Sequence, residues 1–153
     1  MSEPSPRGIL NHLIESCRDA QHGFVHAGDI VNDPMLKRRF AEDGAKRAEF
    51  AGDLTPYAER LGGFAAADGT AAASVHRHWM DLRNSLGGHD DHAILAEVRR
   101  GDAMTLQAFK SAKEGLLPPT VRDVVERIHD EVLISHRRLE ELYASGAPDA
   151  PAQ

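Results

Sequence analysis

Apolar residues recur along this chain at the three-to-four-residue spacing of amphipathic helices, without the alternation that strands show. Stop signals divide this pattern into five segments. They predict long helices at about residues 7–31, 34–61, 90–114 and 118–143, and a shorter helix at 71–86. Ala, Leu, Glu and Arg are plentiful and aromatic residues are few, as in helical proteins. The pattern therefore predicts an all-α protein.

The helix boundaries follow from capping chemistry. Asp33 can cap the second long helix, and Pro34 suits its first turn. Asp90 or Asp91 can cap the third long helix. Glycines end the segments at 62–63, 87–88 and 115. These signals separate the four long helices by two short turns and by one longer connection, which contains the shorter helix.

The connection lengths predict the topology. The first and second long helices are joined by a few residues, as are the third and fourth, so each pair should form an antiparallel hairpin. The crossover between the hairpins contains the shorter helix, with Val75, Trp79, Leu82 and Leu86 on one side. A four-helix bundle with one long crossover is a ferritin-like arrangement. We therefore expect that fold, with a short additional helix in the crossover between helices two and three.

Length and composition favour one domain. A chain of 153 residues with 41% hydrophobic residues can bury a substantial core. Residues 7–145 should form that domain, and the segments 1–6 and 146–153, rich in Pro, Ala, Ser and Asp, read as flexible tails.

The charge and the cysteine content limit partners and location. The net charge of −6 disfavours non-specific binding to nucleic acid or to an anionic membrane surface. No segment has the apolar length of a signal peptide or a spanning helix. Cys17 is the sole cysteine, which excludes an internal disulfide and favours a reducing compartment. We therefore expect a cytoplasmic protein whose Cys17 is a packing residue rather than a nucleophile.

The chain contains the stretches LNHLIESCRDAQHGF (10–24), DPMLKRRFAEDGAKRAEFAGDL (33–54), HRHWMDLRNSL (76–86), GG-x-DD-x-AILAE (87–97) and LPPTVRDVVERIHDEVLISH (117–136). These stretches resemble a bacterial family of ferritin-like four-helix-bundle domains of unknown function. The resemblance covers nearly the whole helical region, and its most specific part is HR-x-WMDL. It implies the fold and brings no activity with it. Where that family carries acidic residues, this chain has Gln21 and Arg99.

The fourth long helix contains Glu126 and His129 at the Glu-x-x-His spacing of di-iron bundles. A helical wheel places Glu126 far from the apolar stripe and His129 at its edge. The motif therefore predicts an exposed carboxylate beside a boundary histidine rather than a metal-ligand pair.

Polar residues interrupt the apolar stripe of every long helix near its middle. Counting from the turns brings these interruptions to one level, so they predict a polar layer at half the height of the bundle. Such a layer needs a physical reason, because buried charges without partners cost several kcal/mol. The predicted layer contains Gln21, Asp43, Arg47, Asp102 and Ser135.

Two explanations of this layer compete. In the first, Asp43, Asp102 and His136 bind iron or copper as oxygen and nitrogen ligands. In the second, Arg47 supplies the positive charge, pairing with Asp43 at i,i+4 and reaching Asp102 across the bundle. The second is favoured because a di-iron site needs about four carboxylates and two histidines, whereas this layer offers two clear carboxylates, Asp43 and Asp102, and one histidine, His136.

The sequence thus supports two classes of function. The leading expectation is a non-enzymatic bundle with no assigned cofactor, forming homo-oligomers as a stress-associated or partner-binding protein. The alternative is a metal-binding ferritin-like protein with ferroxidase or redox activity. A pair of histidines, His22 and His26 with Glu15 beside it, has a spacing that can hold zinc or copper, but such a pair is more often solvated on an exposed helix face.

Overall fold

The computed structural model describes residues 5–62, 68–86 and 90–146. These residues form five α-helices and no β-strand: α1 (Pro6–Ile30), α2 (Pro34–Arg60), α3 (Asp68–Leu86), α4 (Asp91–Lys113) and α5 (Pro119–Ser145). The predicted helix ends agree within three residues, the largest difference being at the start of α3. The predicted glycine stops at 63, 87 and 88, and most of the predicted tails, lie outside the described residues.

Side chains cap α1, α2 and α4; the caps at Asp33 and Asp90 were predicted, and the cap at Ser5 was not. The Ser5 hydroxyl accepts a hydrogen bond from the Gly8 amide at 3.0 Å at the start of α1. Asp33 accepts from the Met35 amide at 2.8 Å at the start of α2, and Asp90 from the Ala93 amide at 3.0 Å at the start of α4. Gly146 ends α5 with φ of 67°, a left-handed conformation that glycine adopts without strain.

Asp91 has a different role from the predicted cap. Its carboxylate is buried and accepts hydrogen bonds from the backbone amides of Asn32 and Asp33, at 2.9 and 2.8 Å. These two residues form the turn between α1 and α2. Asp91 therefore fixes the first hairpin to the start of α4, and Asp90 alone is the cap.

Neighbouring helices in the bundle run antiparallel. Arg7 near the start of α1 reaches the Gly62 carbonyl after the end of α2, whereas Gly28 near the end of α1 lies beside Phe40 near the start of α2. Three other neighbouring pairs show the same inverse numbering: α1 with α4 (Ile9–Gly115, Asn32–Asp91), α4 with α5 (Arg99–Glu140, Lys113–Arg122) and α2 with α5 (Asp53–Arg127, Arg47–Ser135).

The order of neighbours around the bundle is therefore α1, α2, α5 and α4, with α2 and α4 parallel across the diagonal. The crossover helix α3 packs on α1, where Trp79 lies close to Gly23 and the His76 ring lies 5.0 Å from the His26 ring. None of the described helices contains an 18-residue window apolar enough to cross a membrane.

Among the residues that the structure describes, the buried apolar side chains form two clusters, one at each end of the bundle. The lower cluster includes Leu13, Cys17, Phe50, Leu54, Phe109, Val125, Ile128 and Val132. The upper cluster includes Phe24, Ala27, Leu36, Phe40, Trp79, Ile94, Val98 and Leu139. On each of the four long helices a gap in the buried apolar residues separates the clusters. Buried polar side chains from α2, α4 and α5 lie in that gap.

Candidate functional site

Arg47 lies at the centre of the gap between the two clusters. Its side chain is 1% exposed, and it extends from α2 across the diagonal of the bundle towards α4 and α5. One terminal nitrogen donates hydrogen bonds to Asp102 Oδ1 and to Ser135 Oγ, both at 2.8 Å. The Ser135 hydroxyl in turn donates to the Val132 carbonyl at 3.1 Å. The guanidinium therefore joins three of the four long helices.

Aromatic rings flank this guanidinium. The Phe24 ring of the upper cluster lies 5.5 Å from the guanidinium carbon, and the Phe50 ring of the lower cluster lies 5.8 Å from it. A cation near ring faces gains electrostatic energy, more so when it is desolvated. The two rings therefore partly offset the cost of removing this charge from water.

A chain of alternating charges runs from Arg47 to the surface. The second Asp102 oxygen contacts His136 Nδ1 at 3.1 Å, and His136 Nε2 contacts Glu140 at 3.1 Å. Glu140 also accepts from Arg99 at 3.0 Å. We call Arg47, Asp102, Ser135, His136 and Glu140 the polar layer. It connects the buried centre of the bundle to a half-exposed carboxylate on α5.

The contacts of His136 indicate its charge. Both of its ring nitrogens face carboxylate oxygens, which only accept hydrogen bonds, so these contacts favour a proton on each nitrogen. The hydrogen bond to Asp102 is the main cause of a raised His136 pKa, and burial opposes it. The polar layer therefore favours the imidazolium form.

Asp43 is buried in the same gap but does not pair with Arg47 as predicted. Its Oδ2 has no hydrogen-bond partner among the described residues, and neither does Arg47 Nε. The Arg47 side chain reaches forward to α4 and α5 instead of turning back along α2. Burial raises the Asp43 pKa to about 6, although Arg47 and Arg39 act to lower it. The predicted i,i+4 pair is therefore wrong, and Asp43 is a buried carboxyl that lacks a direct partner.

We expect Asp43→Asn to stabilise the protein at pH 8. The folded state binds the Asp43 proton more tightly than the unfolded chain, so ionisation lowers stability as pH rises from about 4 to 6. A shift of about two units corresponds to at most about 3 kcal/mol, and relaxation of the site reduces it, so we expect a gain of about 1–3 kcal/mol.

Urea unfolding of both proteins at pH 4.5 and pH 8 checks this expectation. The raised His136 pKa also makes the protein less stable at high pH, but it contributes to both proteins and cancels in the difference. Asp123→Asn on the exposed face of α5 is the matched control. Equal differences at the two pH values would contradict a raised Asp43 pKa.

Other residues singled out from the sequence lie outside the polar layer. Gln21 is half-buried, and no side-chain hydrogen bond joins it to Arg47 or Asp102. Cys17 is buried, and burial raises its thiol pKa to about 12, so the thiol stays protonated. Glu126 is exposed, as the helical wheel predicts. His129, which the wheel places at the edge of the stripe, is buried: the residue is 7% exposed, and Lys113 Nζ lies 3.4 Å from its Nδ1.

The predicted metal ligands do not form a ligand set. Within the ranges that the structure describes, no group of three or more His, Cys, Asp or Glu side chains could hold a metal ion. Both Asp102 oxygens are engaged, one by a guanidinium and one by His136 Nδ1. His136 Nε2 faces Glu140. A dication at this place would have to displace Arg47 and deprotonate the His136 imidazolium.

Comparison with known families decides the membership of this chain. The profile of a domain of unknown function, DUF2383, matches residues 8–115. The chain belongs to the DUF2383 family. No curated protein matches it. The DUF2383 match covers α1 to α4, and with them Arg47 and Asp102, whereas the α5 residues of the polar layer follow the matched segment.

Glu140 and the contact that Arg99 makes with it were not predicted from the sequence of this DUF2383 member. Two signals were present. Glu140 follows His136 by four residues, the spacing of neighbours on one helix face. Arg99 lies one helical turn before Asp102 on α4. Because α4 and α5 are antiparallel, this position lies beside Glu140 on α5. Both side chains are partly exposed and lie outside the apolar stripes, so interruptions of those stripes do not reveal them.

Proposed function

We propose that this DUF2383 protein is a non-enzymatic, ferritin-like four-helix bundle of the bacterial cytoplasm. Residues 7–145 form its single domain. It acts by association, as a homo-oligomeric, stress-associated or partner-binding protein that binds no nucleic acid. The polar layer gives the bundle a fixed helix register for that association.

The observation that carries this proposal is the burial of Arg47 among partners from α4 and α5. A charge that is 1% exposed tolerates few alternative positions, because any slip of α2 along the bundle would separate it from Asp102 and Ser135. Single buried polar groups are known to fix register and association state in helical assemblies. The antiparallel neighbours and the long connection between α2 and α4 support the ferritin-like arrangement.

The chemistry of the polar layer supports a non-enzymatic role. His136 has the carboxylate partner that orients a catalytic base, but Glu140 engages its second nitrogen. An imidazolium held between two carboxylates cannot accept a proton. The protonated Cys17 thiol is a poor nucleophile. Large apolar side chains exposed on α1, α2, α4 and α5 and in the connection between α4 and α5 support association: Val25, Met35, Met104, Leu116 and Ile134.

Metal analysis of protein purified without an affinity tag tests the proposal against the ferroxidase or redox alternative. We expect less than a tenth of an equivalent of iron or copper per chain. Stoichiometric metal that is lost in Asp102→Ala and retained in His26→Ala would overturn the proposal. Circular dichroism of each variant must show a folded helical protein. The His26 variant serves as the control for metal held by surface histidines.

Sedimentation velocity tests the association. We expect the purified protein to sediment as a dimer or larger species at micromolar concentration. A monomer at all concentrations, binding no protein partner in the cell, would contradict association.

A further inference from the structure

A cavity of about 460 Å³ lies between α1, α4 and the crossover helix α3. Its volume is within the range of small-molecule sites in proteins. Apolar side chains form much of its wall, among them Phe24, Val75, Trp79, Val98 and Met104. Gly23 and Gly101 leave room where larger residues would fill the space.

The carboxylates on the cavity wall differ in their partners. Glu97 is engaged by Arg100 and by His78 Nε2, which lies 2.7 Å away. Asp102 is engaged by Arg47 and by His136. Asp19 makes no hydrogen bond within the described ranges, although it is half-buried. Burial is the main cause of its raised pKa, followed by repulsion from Glu15. Asp19 is therefore the carboxylate of this wall that a ligand can satisfy.

We propose that this cavity binds an organic cation, a primary amine carried on an apolar body. The ammonium pairs with the Asp19 carboxylate, and the apolar body packs against Trp79 and Phe24. This site goes beyond the proposed function. Binding there leaves the contact between Arg47 and Asp102 unchanged.

The charges of the wall favour a cation over an anion of the same shape. A ligand carboxylate would face Asp19, and the guanidinium that could attract it, Arg100, is already held by Glu97. A neutral alcohol would gain the apolar contacts but would leave the Asp19 charge uncompensated. An ammonium gains both, because a charge-assisted hydrogen bond to Asp19 adds to the apolar contact.

Trp79 provides a direct reporter, because it is the one tryptophan of the chain. Its emission is to be measured during titration of the full-length protein with hexylamine, 1-hexanol and hexanoate at pH 7. We expect saturable binding of hexylamine, with 1-hexanol binding about tenfold more weakly, a difference of about 1.4 kcal/mol. Hexanoate should bind most weakly.

Three variants locate the site. Asp19→Asn should weaken hexylamine binding about tenfold and leave 1-hexanol binding unchanged. Gly101→Leu should abolish binding of both, because an added Cβ at position 101 meets open space and the side chain can fill the cavity. Gly52→Leu, at another helical glycine with nothing within 4 Å of an added Cβ, should leave both unchanged.

The outcomes separate the proposal from simple partitioning into an apolar surface. Equal binding of the three probes, or hexylamine binding that survives Asp19→Asn, would overturn the cation site. The absence of saturable binding, or equal losses in the two glycine variants, would overturn the cavity as the site. Neither result would alter the metal content or association that test the proposed function.

Discussion

Replacing Arg47 with methionine is expected to lower the free energy of unfolding by about 3–5 kcal/mol. Methionine retains an unbranched apolar stem at this position but lacks the positive charge that Asp102 faces at 2.8 Å. Asp102 then remains buried, with His136 as its one charged partner. Urea denaturation monitored by circular dichroism at pH 7 measures the loss.

Arg127→Met is the matched control for this variant. Arg127 bridges Asp53 and Glu131 between α2 and α5, as Arg47 bridges α2 to its neighbours, but its side chain is 52% exposed. An exposed ion pair contributes about 0–1 kcal/mol, so this variant should be nearly as stable as the unmodified protein. Similar losses in both variants would show that burial does not distinguish Arg47.

Asp102→Leu is expected to have the second-largest effect, a loss of about 3 kcal/mol or more. The leucine occupies a similar volume but leaves the Arg47 guanidinium buried with Ser135 as its one hydrogen-bonding partner. It also removes the main cause of the raised His136 pKa. The protein should therefore lose stability at pH 5 as well as at pH 7, since a protonated His136 no longer has a buried carboxylate beside it.

A histidine titration followed by NMR checks the second part of this expectation. In the unmodified protein the His136 ring should titrate above the usual pKa of a histidine, and in Asp102→Leu it should titrate lower. An unchanged His136 pKa would mean that the contact between His136 and Asp102 does not exist in solution.

The helices were predictable because their signals are local. Asp33, Pro34 and Asp90 act within one turn of their own positions, so the sequence identifies the starts of α2 and α4 directly. The apolar periodicity of each helix likewise requires no knowledge of its neighbours. Asp91 was assigned no role beyond capping because its partners, Asn32 and Asp33, are distant along the chain and follow from the packing of α4 against the first hairpin.

The polar layer was predictable in its level but not in its contacts. Interruptions of the apolar stripes, combined with the positions of the turns, bring Arg47 and Asp102 to the same height. The direction of a long side chain is not set by helical phase. Arg47 could turn along α2 to Asp43 or extend to α4, and in the structure it extends to α4, with its guanidinium between the rings of Phe24 and Phe50. The cavity beside Trp79 depends on how α3 lies across α1, which periodicity does not determine.

The double-mutant cycle of Arg47→Met and Asp102→Leu tests the central claim most directly, because it isolates the interaction of two side chains across the bundle. The double variant should be more stable than the sum of the two single losses predicts, by about 2–3 kcal/mol, since it leaves neither charge buried without its partner. A coupling free energy near zero, with both single variants as stable as the unmodified protein, would contradict a register fixed by Arg47 and Asp102.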